Sequence, residues 1–193
     1  MTERLTARDW IDFALKTLAH AGSDALKADL LARKMGVSRG SFYWHFDDLG
    51  SFHARLIAHW KQAATEAIIA DIERHESSEE RLDALLRHAF GHRGSLEMRM
   101  RTWAENNTEA ARAVSDIDRR RRVYIEQLLL DAGVAPPLAA TRAQLLYWAY
   151  LGAALSRSRL TGEQLNQTVA ELKQVGLAGS TPAAPRYGRT ASS

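Results

Sequence analysis

The residues able to do chemistry in this chain are few in kind. There is no cysteine, hence no disulfide, no thiolate nucleophile and no thiolate zinc site. No Ser, His and Asp stand in an order that suggests a hydrolytic triad, and neither a phosphate loop nor a glycine-rich nucleotide fingerprint occurs. His88 and His92 are spaced i, i+4 in a helical stretch, which puts two imidazoles on one face. No glutamate follows His88 in an H-E-x-x-H pattern and no third ligand is at hand, so we expect no metal, no cofactor and no catalytic residue. Residues 119–122 are four consecutive arginines. Consecutive residues point in different directions around a helix, and Asp116, Asp118 and Glu126 are close by, so the run reads as a solvated face rather than a nucleic-acid patch. One arginine is expected to turn inward, toward Asp118 or Glu97.

The richest set of polar and aromatic groups lies at 39–45. Phe42 and Phe46, four apart, face back toward Leu31 and Met35. That leaves Arg39, Gly40, Ser41, Tyr43, Trp44 and His45 toward the outside. Arg39 suits a guanine edge or a phosphate, and Gly40 allows close backbone approach. Ser41, Tyr43 and His45 can donate to phosphate oxygens, and Trp44 can pack on sugar or a thymine methyl. Just upstream, Leu30, Leu31, Met35 and Val37 form an apolar set at helical spacing. Gly36 ends that helix because it accepts φ > 0, and Ser38 is placed to cap the next one. Two short helices joined by a turn of three or four residues make a helix-turn-helix. The competing reading, a buried helical pair, fits poorly with Arg, Tyr and His opposite the phenylalanines.

The same residues carry a family likeness. The order Leu30, Ala32, Met35, Gly36, Val37, Ser38, followed by Gly40, Ser41, Phe42, Tyr43, Trp44, His45 and Phe46, resembles the signature of the TetR family of bacterial transcriptional regulators. The likeness covers about the first 57 residues at motif level. It implies that Lys27, Ala28, Ser38, Arg39, Gly40, Ser41, Tyr43, Trp44 and His45 meet double-stranded DNA. Two positions depart from the pattern. Leu49 stands where the family usually has a phosphate-contacting lysine, and Lys27 stands where it usually has a Thr or Ser cap.

Composition agrees with an all-α chain: helix formers dominate the 193 residues and no convincing alternating strands occur. Net charge is only +3, and the first 47 residues hold seven Lys/Arg against six Asp/Glu, so bulk charge does not argue for nucleic acid. The start of the chain lacks the apolar core of a signal peptide, and the most apolar run, 143–155, falls short of the ~18 residues a membrane span needs. A cytoplasmic protein without membrane association is expected.

The elements that must position these groups follow from periodicity and caps. A first helix over 6–21 ends at Gly22, with Trp10 and Phe13 in its core face. A long helix is expected from after Asp47 and Asp48 to about residue 75, with Phe52, Leu56, Trp60, Ala63, Ala67 and Ile68 inward. A cap at Ser77 or Ser78 starts the next, which carries Leu82, Leu85, Leu86, Ala89 and Phe90. Further helices are expected over 95–104, 109–132, 138–157 and 163–175. The domain reading is a three-helix helix-turn-helix unit at 1–47, a helical effector-binding and dimerisation bundle at 48–178, and a disordered tail at 179–193.

The resemblance also implies a small-molecule effector held among the middle helices, for which Trp60, Phe90, Trp103, Tyr124, Tyr147 and Trp148 are the candidate lining. The helix at 138–157 is apolar nearly all round, so part of it is expected to meet a second subunit. Leu145, Trp148, Leu151 and Leu155, with Leu165, Val169 and Leu172 of the last helix, are the candidate interface. The family's four-helix dimer would set two recognition helices on the order of 35 Å apart, one turn of DNA. The expectation is a homodimeric, non-enzymatic regulator, a repressor released from a palindromic operator by a largely apolar effector. The rival is a helical dimer that binds a small molecule or protein and no longer binds DNA.

Overall fold

A computed structural model describes residues 5–92, 94–156 and 160–180; the expected tail from 181 onward lies outside them. Every regular element among the described residues is helical. Helix α1 (Ala7–Ala21) starts on a reciprocal cap between Thr6 and Asp9 and ends at Gly22, whose φ of 80° is easy only for glycine. After a single 3₁₀ turn at Ser23–Ala25 come α2 (Ala28–Met35) and α3 (Arg39–Tyr43). Gly36, with φ 71°, closes α2 in the left-handed conformation, as the sequence leads one to expect. Ser38 occupies the N-cap position of α3, but its hydroxyl makes no capping bond; the turn is held instead by Ser41 N–H donating to the Ser38 carbonyl at 3.0 Å.

Asp48 and Ser51 cap each other at the start of α4 (Leu49–Lys61). This helix does not run uniformly to residue 75. It passes through a π turn at Gln62–Glu66 and continues as α5 (Ala67–Ile72). The extra residue explains why the inward stripe departs from expectation. Phe52, Leu56 and Trp60 are buried at intervals of four, and the next buried residue is Thr65, five further on, then Ile72. Ala63 and Ala67, expected inward, are exposed.

Helix α6 (Ser78–Gly91) begins with a Ser77–Glu80 capping box, α7 spans Ser95–Ala104, and α8 (Thr108–Asp131) is capped by the Asn107 side chain. Two prolines open α9 (Pro136–Leu155), and α10 (Gly162–Leu177) closes the described chain. Two main cores result. One joins α1–α4 with α7 and the first half of α8, through Met100, Trp103, Ala110, Ala113 and Ile117. The other joins α6, the second half of α8, α9 and α10, around Leu82, Leu129, Leu146 and Val169. The first core therefore crosses residue 47, so the N-terminal helices are seated on the body by α7 and α8.

Candidate nucleic-acid interface and ligand cavity

Four aromatic rings anchor the helix-turn-helix. Phe42 lies 5.3 Å from Trp10, 5.1 Å from Phe46 and 5.0 Å from Phe52 between ring centroids, and Phe46 lies 4.9 Å from Phe52. With Phe42 and Phe46 committed to this cluster, the five-residue helix must present its other faces to water. Tyr43 is 45% and Trp44 70% exposed, and Arg39 and Gly40 are exposed as well. Ser41 and His45 are half-buried. Arg39 is held in place: its Nε pairs with Asp29 of α2 at 2.9 Å, and Nη2 donates to the Tyr43 hydroxyl at 3.0 Å. The Tyr43 hydroxyl and Asp29 both favour the guanidinium's charge, so its pKa is raised.

Other expected DNA contacts need qualification. Lys27 and Ser38 are exposed at the two helix starts, but Ala28 is buried in the core, so its methyl can meet nothing outside. Leu49 is half-buried and packs on the aromatic core, which is why an apolar residue is tolerated there. Arg55 lies close by, with its guanidinium 5.0 Å from the Phe46 ring centroid and Nη1 donating to the His45 carbonyl at 3.3 Å. Sequence spacing gives no sign of this contact, because Arg55 reaches back from α4.

Behind this unit, α1, α4 to α9 and the π turn enclose a cavity of about 870 Å³. Trp60, Phe90, Tyr124 and Tyr147 line it, as expected from the sequence. Trp103 and Trp148 do not. Trp103 faces the other way from the cavity wall of α7 and meets the edge of His53 of α4, with ring centroids 5.0 Å apart. Trp148 is 60% exposed on the outer face of α9. Helical period alone cannot tell inner from outer face when a helix is apolar all round.

The cavity wall also carries a charged network. Glu97 is buried; its Oε1 accepts from Arg101 at 2.7 Å and its Oε2 from Arg121 at 3.1 Å. Arg101 also pairs with Asp118, which accepts from the Tyr147 hydroxyl at 2.6 Å. Burial opposes the charges of Arg101 and Arg121, but Asp118 and Glu97 for the first and Glu97 for the second more than offset it, and both pKa values are raised. Burial, then the bond to Asp118, raises the pKa of Tyr147, and burial with Glu97 nearby pushes Tyr150 up to about 12. The inward arginine of the 119–122 run is thus Arg121. Arg119, Arg120 and Arg122 pair with Asp116, Glu66 and Gln144. Thr65, in the π turn, lines the cavity and its hydroxyl has no hydrogen-bond partner in the protein.

On the outer side, Leu138, Leu145, Trp148 and Leu155 are exposed along one face of α9, at intervals of seven, three and seven. Val175 of α10 is exposed too. Leu151, Leu165 and Leu172, expected at an interface, are half-buried against the body's own core. Val169 corrects the expectation: it is fully buried within its own chain between α10 and the core, so it has no surface left for a partner. No described helix is long and apolar enough to cross a membrane.

Comparison with known proteins agrees with this geometry. Residues 11–48 match the family described as bacterial regulatory proteins, tetR family. No curated protein matches the chain. Among solved structures, a transcriptional regulator from Rhodococcus sp. Rha1 is 18% identical over 91% of this chain and 98% of its own, with a TM-score of 0.74. A transcriptional regulator from Saccharomonospora viridis, solved in complex with choline, is 15% identical over 90% and 96%, with a TM-score of 0.68. The fatty acid degradation regulator FadR from Bacillus halodurans is 16% identical over 94% and 100%, with a TM-score of 0.65. At such identities the likeness is one of fold. The helix-turn-helix segment is thus similar to that of the tetR family of bacterial regulatory proteins, and the helical body shares the fold of solved transcriptional regulators.

Proposed function

We propose that the protein is a homodimeric, cytoplasmic repressor that binds a palindromic operator and releases it when a small molecule enters the cavity. In this reading residues 1–47 contact DNA and residues 48–178 hold the effector and the partner subunit. The observation that carries it is the exposed set Arg39, Tyr43 and Trp44 on a short helix pinned from behind by Trp10, Phe46 and Phe52. A rigid backing of this kind is what base reading requires, because phosphate and base contacts depend on fixed register. The exposed apolar face of α9 supports dimerisation, since a contiguous stripe of this sort is costly in water.

A physical route joins cavity to reader. Helix α7 lines the cavity with Leu96, Glu97 and Thr102 and turns Trp103 toward His53, whose Nε2 donates to the Leu26 carbonyl at 3.3 Å, just ahead of α2. A ligand that displaces α7 therefore acts on the seat of the helix-turn-helix, and only a ligand binding the two states unequally can shift DNA affinity. The reading as a small-molecule module that no longer binds DNA draws on one observation, Leu49 packed in the core in place of a cation.

The deciding experiment is binding to the intergenic DNA flanking the gene, titrated with salt. The native dimer is expected to bind that DNA well above random sequence, with affinity falling steeply as salt rises. Arg39→Ala and Tyr43→Ala should each weaken operator binding by about tenfold or more while leaving the melting temperature unchanged. Equal affinity for flanking and random DNA at every salt concentration favours the module reading.

A further inference from the structure

Resting on the reading of the cavity as an effector site, we infer that its ligand is an anionic amphiphile, an apolar body ending in a carboxylate or similar acid. The charged end lies at His88, His92 and Arg99, and the apolar body lies toward Trp60, Leu86 and Phe90. The inference comes from charge balance within the wall. Glu97 is the only acid that lines the cavity among the described residues, and both of its oxygens are occupied by arginine. Arg101 and Arg121 are balanced by Glu97 and Asp118, two charges against two. A cationic ligand would find no free carboxylate, and its burial beside a neutralised cluster would go uncompensated.

The remaining charged groups of the wall are basic. Arg99 lines the cavity where it opens to water: its side chain is exposed, with the guanidinium beside Gly22 at the end of α1 and no carboxylate in salt-bridge reach among the described residues. Half-buried His88 of α6 and exposed His92, the residue that ends that helix, line it too, their rings tilted by 31° with centroids 4.4 Å apart. His92 Nδ1 lies 2.7 Å from the His88 carbonyl, which can only accept, so Nδ1 carries the proton and Nε2 is left to face other groups. The charged groups around His88 are His92 on its own helix, Asp71 with its partner Arg74 and His75 from the α5 side, Arg121 from α8 and Glu97 from α7. From α9 the neighbours in the cavity are the hydroxyls of Tyr147 and Tyr150.

Burial, then His92 and Arg121, holds His88 below the ordinary imidazole range, which favours its neutral form. A carboxylate beside it reverses that balance and favours the imidazolium. Binding then takes up a proton, and affinity rises as pH falls through the interval between the free and bound pKa values.

The test uses three probes of equal chain length with the full-length protein: dodecanoate, dodecanol and dodecyltrimethylammonium, below micelle-forming concentrations, measured by calorimetry. Dodecanoate is expected to bind about tenfold or more tighter than the other two. It should also bind several-fold tighter at pH 6.5 than at pH 8, where its carboxylate is ionised throughout. The pH dependence should vanish in His88→Gln/His92→Gln, and Arg99→Gln should lower affinity at both pH values while the protein melts as the native chain does. Dodecanol or dodecyltrimethylammonium binding as tightly as dodecanoate overturns the anionic assignment and leaves the effector cavity standing. Silence from all three overturns the assignment and counts against the cavity reading as well, while DNA binding is judged separately by the operator assay.

Discussion

Along one continuous helical rod, α4 to α5, the protein changes character. At Phe52 the rod packs into a cluster of rings separated by 4.9–5.3 Å. Two to five turns further on, from Trp60 to Ile69, the same rod walls a void of about 870 Å³. The helix-turn-helix end is held by apolar contact, and the cavity end adds to its own apolar core the ion network of Glu97, Arg101, Asp118 and Arg121. Apolar contact is short-ranged and fixes one geometry, which a reader of fixed register needs. An ion network around a void can reorganise when a new charge arrives, as a sensor needs. The contrast sets a closely packed aromatic cluster and a hollow, charged wall on one short chain.

The comparison can be broken most sharply by equal truncations at its two ends. Phe42→Ala should cost about 4 kcal/mol, because the cluster closes on all sides of that ring. Phe90→Ala should cost less than half as much, since part of its surface already faces the cavity. Equal losses in chemical denaturation would mean that the cavity end is packed as tightly as the reader. Next in size is Glu97→Gln, which leaves two half-buried arginines short of a counter-charge and should cost about 3 kcal/mol by the same measurement. Its loss should fall on α7 and α8 first, detectable as faster hydrogen exchange there than in α2 and α3.

The smallest effect is a pH dependence. His53 is held below the ordinary imidazole pKa by burial, which outweighs the opposing pull of the Leu26 carbonyl and Glu109. His88 is lowered as well. A base whose folded pKa is depressed binds fewer protons folded than unfolded, so stability is fully present above the unfolded value near 6.5 and declines as pH falls below it. Denaturation midpoints should drop between pH 7 and pH 5. His53→Gln should flatten that slope, and an unchanged slope would place the acid sensitivity elsewhere.

Much of the reader was legible in the sequence because its signals are local. Gly36 and Gly22 mark ends where φ must be positive, and Thr6, Asp48, Ser77 and Asn107 mark starts through their own side-chain bonds. Phe42 and Phe46 announce an inward face by spacing alone. The body was less legible for three physical reasons. A π turn has no residue signature, so the face of the rod after Trp60 is rotated without notice. Helix α9 is apolar all round, so Trp148 and Tyr147, adjacent in sequence, lie one outside and one on the cavity wall with nothing local to separate them. Arg121 chooses Glu97, 24 residues away, only once α7 and α8 are packed.

The π turn has a further consequence, which is rotational. Each residue of an α-helix advances the chain by about 100° around its axis. The extra residue held at Gln62–Glu66 therefore sets the angular phase between the segment seated on the helix-turn-helix and the segment that walls the cavity. Removing one residue there to restore an unbroken helix would swing the rod's reader-side face by roughly a quarter-turn relative to the body. In mechanical terms the insertion is the key on a drive shaft: the rod's length can be kept, but without the key the two ends no longer turn in register.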